Sequence, residues 1–385
     1  MKDKLFFTVA FLLTMLFCAT GAFANGCPND YNNFNGPQRF YLNIHNCGLD
    51  CYEQEIDYLR IFREGITGVR IAPVPRDRTM APEDAFYEVN DFDPYFNAAL
   101  EIFGPENILV LVDDGVDEGR FAKPSSGDME RLLRSTLQRY PQLLHIEFMN
   151  EPSNFSGITP EEYAASYLPK ARRVIDEFNA VRPAGQKIKL YSASWFGNTS
   201  GARETLRMVT AGGLRFVDVM TAHIYGKNAD EARELAREYK RLARGKPVAV
   251  TETNFDAGRG SDYDTQQTWI CFAMAGIEST LRAGLSPADQ ALQHNVFYTL
   301  RADGARRFNI IGFPDARNRQ FWQSTGPGHF VIQQRALART DPKEPLDAAT
   351  EPGGGGSEGG DPENSGNPPA NTPRPPAHGL EPGDG

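Results

Sequence analysis

"HIEFMNEPSNF", residues 145–155, is the stretch on which the reading turns. Ile146 and Phe148 belong to a short apolar run of the kind that makes a buried strand. The run stops at Asn150-Glu151-Pro152, an amide, a carboxylate and a residue without a backbone donor. A charge next to a buried strand is costly unless something engages it. Either a loop simply opens with these residues, or the strand ends at the rim of a reaction site.

Working outward, seven more β-rich runs flank this one. With it they are residues 39–45, 68–74, 107–114, 143–149, 188–194, 216–225, 247–253 and 295–301. Successive starts lie 28 to 48 residues apart, room for a helix in each interval. The runs are nearly continuous in apolar residues rather than alternating, which indicates a sheet covered on both faces. Helical periodicity fills intervals such as 127–140, 160–180, 228–245 and 264–284. Thr159 and Pro160 suit an N-cap and a first helical residue, and Gly245 and Gly284 suit helix ends. Eight such units predict an α/β fold, a single-domain (β/α)8 TIM barrel. No GxGxxG turn and no P-loop supports the competing doubly wound sheet.

The two ends differ from this middle. Lys2 and Lys4 precede an apolar run, Leu5 to Phe17, and Ala22-Phe23-Ala24 offers a cleavage site. Residues 1–24 therefore read as a signal peptide, too short to span a membrane, and the protein is expected to be secreted or periplasmic. The barrel is assigned to 25–350. Residues 351–385 hold 10 Gly and 8 Pro and no aromatic residue, so a disordered tail is expected. The tail carries six acidic residues and Arg374, −5 of the chain's −10. The remainder is only mildly acidic, which argues against a nucleic-acid partner; no membrane span is found, and a monomer is expected. Cys27, Cys47, Cys51 and Cys271 show no zinc spacing and are read as structural, their pairing open.

If the fold is a barrel, the carboxyl ends of its strands carry the site. There the fourth strand brings Asn150 and Glu151, the sixth His223 and Tyr225, the seventh Glu252, and the second Arg70. This set resembles the clan A retaining glycoside hydrolases, (β/α)8 barrels with Asn-Glu-Pro after the fourth strand and a glutamate ending the seventh. Arg70 on the second strand and His223-Ile224-Tyr225 on the sixth match further features of that clan. The resemblance covers residues from about 40 to about 336. It departs at the eighth strand, where many members carry a tryptophan: Phe297 or Tyr298 would have to stand in, and Trp322 comes later.

The resemblance implies Glu252 as nucleophile, Glu151 as acid/base, and a carbohydrate with β-linked sugars as substrate, with no cofactor and no metal. Asn150 would donate to the sugar 2-hydroxyl. Arg70 and Tyr225 would keep Glu252 ionised, and the charge on Glu252 would help Glu151 hold its proton. Trp195 is a candidate wall for sugar stacking. Several residues have plainer readings: Asp113 and Asp114 as helix caps, Trp269 as core, and Arg70 as one half of a structural ion pair. Glu147 would point inward by simple alternation. Asn154 and Asn198 begin glycosylation sequons. A catalytically silent carbohydrate-binding or exopolysaccharide-assembly barrel is the alternative function. A metal-dependent barrel enzyme is a third; it is disfavoured because His145 and His223 have no acidic cluster beside them in the sequence.

Overall fold

The computed structural model describes residues 39–44, 56–61, 63–71, 93–113, 123–226, 228–255 and 269–297. The expected signal peptide and tail, His45, Asp114, Tyr298, Trp322, Cys27, Cys47 and Cys51 lie outside these residues, as do the side chains of Trp269, Cys271 and Phe297.

Eight strands form one parallel sheet: β1 (Tyr41–Ile44), β2 (Gly68–Ile71), β3 (Ile108–Val112), β4 (His145–Phe148), β5 (Lys189–Tyr191), β6 (Met220–Gly226), β7 (Val248–Phe255) and β8 (Asn295–Phe297). Their order is β5-β4-β3-β2-β1-β8-β7-β6. The two ends of that order meet through a bridge between Tyr191 and Val219. There Asp218 N donates to Leu190 O at 2.8 Å and Ser192 N to Val219 O at 3.1 Å. The sheet is thus a nearly closed barrel, as the eight runs predict, and β5 to β6 is its thinnest seam.

Helices fill the intervals: α1 (Asp93–Phe103), α2 (Ser126–Arg139), α3 (Leu168–Ala180), α4 (Thr199–Thr210), α5 (Ala229–Leu242) and α6 (Ala275–Arg282). Their ends follow local chemistry. The Thr159 hydroxyl accepts from Glu162 N at 3.2 Å and starts the helix that continues through a π-helical stretch, Tyr163–Tyr167, into α3. The Asn228 amide oxygen accepts from Asp230 N and Glu231 N and starts α5. Gly245 and Gly284, with φ of 91° and 80°, take the left-handed turns that end these last two helical stretches.

Alternation along the strands sorts the interior. Val69 and Ile71, Ile108 and Val110, Ile146 and Phe148, and Val248 and Val250 face outward into one hydrophobic layer shared with the helices. Burying each such side chain contributes roughly 1.5–3 kcal/mol. Inside the barrel the apolar filling is a small plug of Leu109, Tyr191, Val219 and Ala249. Around it the inner positions are polar and buried: Asn43, Arg70, Glu147, Ser194, Thr221, His223 and Thr251. Such an interior holds only if its polar groups are paired. At the amino-terminal end His145, Tyr191 and His294 pack edge to face. Burial pushes the His145 imidazole down to about 4 and His294 well below the ordinary histidine value.

Candidate active site

At the opposite end, two local departures from alternation aim the glutamates. On β7, Val250 pairs with Ala222 but the next pair is Glu252 with His223, so Thr251 is an extra residue in a bulge. Ala249 lies inside the barrel and Val250 outside, and Thr251 turns in to meet the Ser194 hydroxyl at 2.7 Å. Strict alternation would then send Glu252 outward; the bulge returns it to the lumen. On β4, Met149 takes φ 73° and joins the outer hydrophobic layer, and Glu151 takes φ 39°. Left-handed backbone at a residue with a Cβ costs of order 1–3 kcal/mol. Here it turns both Asn150 and Glu151 toward the site.

The side chains then interlock. Arg70, 2 % exposed, donates from Nε to Glu147 at 2.6 Å, from Nη1 to Glu252 at 2.8 Å and to Asn43 at 3.3 Å, and from Nη2 to Asn150 at 2.9 Å. Tyr225 donates its hydroxyl to the other Glu252 oxygen at 2.7 Å. His223 Nδ1 lies 2.8 Å from Glu151 Oε1, and its Nε2 lies 3.6 Å from Glu252 Oε1. Asn154 Nδ2 donates to Glu151 Oε2 at 2.8 Å. Burial alone would lower the His223 pKa, but the charges of Glu252 and Glu151 and the hydrogen bond to Glu151 outweigh it, and the net shift is upward. For Arg70 burial again acts downward, and Glu147 and Glu252 overcome it, so its charge is held firmly.

Six sequence-selected residues, Glu151, Glu252, Asn150, Arg70, His223 and Tyr225, therefore converge. Trp195 does not join them. It is 0 % exposed and packs edge-on against Tyr163 in the layer between barrel and helices, which favours a packing role over a sugar-stacking face. Asp113 ends β3 half-buried. Glu147 does point inward, onto Arg70. The view that neither histidine sits beside an acidic cluster needs correction: His223 is wedged between two glutamates. Ligand atoms of Glu151, His223 and Glu252 lie within 4.8 Å of one another. All four carboxylate oxygens there are already engaged, by His223, Asn154, Arg70 and Tyr225, so a cation would have to displace these partners.

Three supporting residues escape motif reading. Asn43 and Asn154 are ordinary amides whose partners are distant or follow from a turn. Gly197 is the third: a Cβ there would stand 2.0 Å from the Tyr225 ring, so only glycine lets that ring lie against the chain. Its signal in the sequence is a lone glycine directly after Trp195-Phe196.

No protein-family model matches the chain, and no curated protein matches its sequence. Solved structures do match. A rice β-glucosidase superposes with a TM-score of 0.52 at 10% identity, over 79% of this chain and 98% of that one. A cellulase gives 0.49 at 16% identity, over 78% and 86%, and a β-glucosidase from Trichoderma reesei 0.48 at 12%, over 75% and 86%. With the rice enzyme the chain shares a parallel eight-stranded barrel clothed in helices, at an identity that carries the fold alone.

Proposed function

We propose that the chain is a secreted or periplasmic retaining glycoside hydrolase that cleaves β-glycosidic bonds in an oligosaccharide or polysaccharide. The observation that best supports this reading is the closeness of the glutamates: one carboxylate oxygen of Glu151 and one of Glu252 lie within 4.8 Å of each other. Double displacement needs carboxyl groups about 5–5.5 Å apart, whereas inversion needs about 6.5–9.5 Å to admit a water between them.

Glu252 is the attacking group in this reading. Arg70 and Tyr225 hold one oxygen each and favour its ionised form. In the first step a Glu252 oxygen bonds to the anomeric carbon as the bond to the leaving oxygen breaks, and Glu151 gives its proton to that oxygen. In the second, Glu151 takes a proton from water, the water oxygen bonds to the anomeric carbon, and Glu252 departs as carboxylate. Glu151 thus alternates between acid and base, and its contact with His223 at 2.8 Å holds the carboxyl in position. Asn150, whose oxygen accepts from Arg70, gives its amide N–H to the sugar 2-hydroxyl in this reading. The reaction uses no cofactor.

The test is reducing-sugar release from a panel of plant, fungal and bacterial β-glucans and exopolysaccharides, with Glu151→Gln and Glu252→Gln alongside the natural protein. Release lost in both variants supports the reading, and chemical rescue of a Glu252→Gly variant by azide with inverted product would identify the nucleophile. Release that survives both substitutions overturns the site. Binding of a glycan without turnover would instead favour the silent binding barrel.

A further inference from the structure

Beneath the catalytic pair lies a third buried carboxylate that the proposed chemistry does not use. Glu147 is 0 % exposed. One of its oxygens lies 2.6 Å from Arg70 Nε, and the other is 3.4 Å from the Ser194 hydroxyl. We propose that Glu147 is a positioning residue for the nucleophile: it anchors the Arg70 guanidinium and shares its charge, so that Glu252 receives one arginine N–H rather than a full ion pair. This rests on reading Glu252 as the nucleophile.

The geometry supports sharing over a simple structural pair. Arg70 has one positive charge and meets two carboxylates through different nitrogens, Nε and Nη1. A guanidinium left to itself prefers a two-pronged grip on one carboxylate. With Glu147 in place, Nε is occupied, the fork is turned, and Nη2 is free to hold Asn150. A nucleophile locked in a full two-pronged pair would be a weaker base and a poorer attacking group. The charged and titratable groups around Glu252 include Arg70 from β2, Glu151 from just past β4, and His223 and Tyr225 from β6, with Glu147 of β4 behind the arginine. Glu147 is fully buried within β4 and meets Arg70 rather than Glu252.

The test compares the full chain with Glu147→Gln and Glu147→Asp. The Glu252 carboxyl is titrated directly by carbon-13 NMR of glutamate-labelled protein, its signal assigned by loss in Glu252→Gln. Removing the negative charge that shares Arg70 with Glu252 is expected to lower the Glu252 midpoint by about one pH unit. In kinetics on an aryl β-glycoside, the acidic limb of the kcat/KM profile moves down by the same amount. The kcat falls about tenfold with KM nearly unchanged, as for a group that acts through the nucleophile. Glu147→Asp keeps the charge and recovers most of both effects; if the glutamine variant does not fold, Glu147→Met, which removes the charge at similar volume, carries the same test. An unmoved Glu252 midpoint in a folded variant that lacks the Glu147 charge overturns the proposal and leaves Glu147 a structural partner. A moved midpoint in a protein that hydrolyses no glycoside sustains the coupling and refutes the glycosidase reading instead.

Discussion

Replacing Arg70 by methionine tests whether the barrel interior is held by charge pairing. The guanidinium donates to Glu147, Glu252, Asn150 and Asn43 from a position only 2 % exposed. Methionine keeps most of the stem and removes every donor. Breaking a buried ion pair on one side costs about 3–5 kcal/mol. Protonation gives an independent figure. A stranded carboxylate escapes by taking up a proton, and neutralising an ordinary glutamate at pH 7 costs about 1.36 × (7 − 4.3), or roughly 3.7 kcal/mol. The two figures agree, and the second adds a pH dependence. The stranded group is raised in the folded variant, so the penalty is present above the unfolded glutamate value and shrinks as pH falls, to about 1 kcal/mol at pH 5. Urea unfolding at pH 7 and pH 5, followed through the buried Trp195 and read at constant m, measures both numbers. Adding Glu147→Gln to Arg70→Met should restore about 3 kcal/mol at pH 7, since one stranded charge is gone. A cost below about 1 kcal/mol at pH 7, or one indifferent to pH, refutes the pairing argument.

Other outcomes follow from single contacts. Tyr225→Phe removes one charge-assisted hydrogen bond from Glu252, worth about 1.5–3 kcal/mol, so kcat should fall roughly ten- to a hundredfold with little change in KM. Gly197→Ala pushes on the Tyr225 ring and should give the same loss; the double variant Gly197→Ala with Tyr225→Phe should be no worse than either, which steady-state kinetics will check. Asn154→Ala frees one Glu151 oxygen; turnover should drop about tenfold for poor leaving groups and little for activated aryl glycosides, where protonation matters less. Acid should unfold the protein partly through its buried histidines. The folded His145 value is about 4 against 6.5 for an ordinary histidine, so stability is full above pH 6.5 and falls below it, by roughly 2 kcal/mol at pH 5. His294 acts in the same sense and His223, shifted upward, in the opposite one. His145→Phe should flatten the difference in unfolding free energy between pH 7 and pH 5; an unchanged slope would remove His145 from the account.

The fold was legible because strand and helix periods are local. Each expected run overlaps its strand, with β6 and β7 extending one and two residues past theirs, and the cap at Thr159 and the turns at Gly245 and Gly284 are where residue chemistry puts them. Simple alternation also explains two residues. On β5 and just beyond it, Ser192 and Ser194 face the lumen while Ala193 and Trp195 face the helices, so the tryptophan is core. On β4, Glu147 faces the lumen because Ile146 and Phe148 do not. What periodicity cannot give is the direction of Glu151 and Glu252, because each is set by a break in the period. The extra residue on β7 is invisible in a chain of ordinary strand formers: nothing about Thr251 marks it as a bulge. Met149 likewise carries no sign of its positive φ. Glutamate identity was readable from the motif, but the geometry that brings the pair together is tertiary.

That geometry also ties the site to closure of the barrel. Glu151 and Glu252 come from β4 and β7, which are not neighbours in the sheet. Ladder hydrogen bonds cannot fix their separation. The bracing crosses the lumen instead: Arg70 links β2 to β4, β7 and β1, and His223 links β6 to β4 and β7. The thin seam between β5 and β6 is spanned at the same level by site residues, for Tyr225 N donates to Gly197 O at 2.7 Å and Glu151 N to Ser194 O at 3.0 Å on the β4 side. The strained turn at Met149 and Glu151 is tolerated only while these bonds hold it, since an isolated strand end would relax out of the left-handed region. Closing the seam and assembling the carboxylate pair are therefore one event. A substitution that loosens the seam, such as Gly197→Ala, should damage the site before it unfolds the barrel.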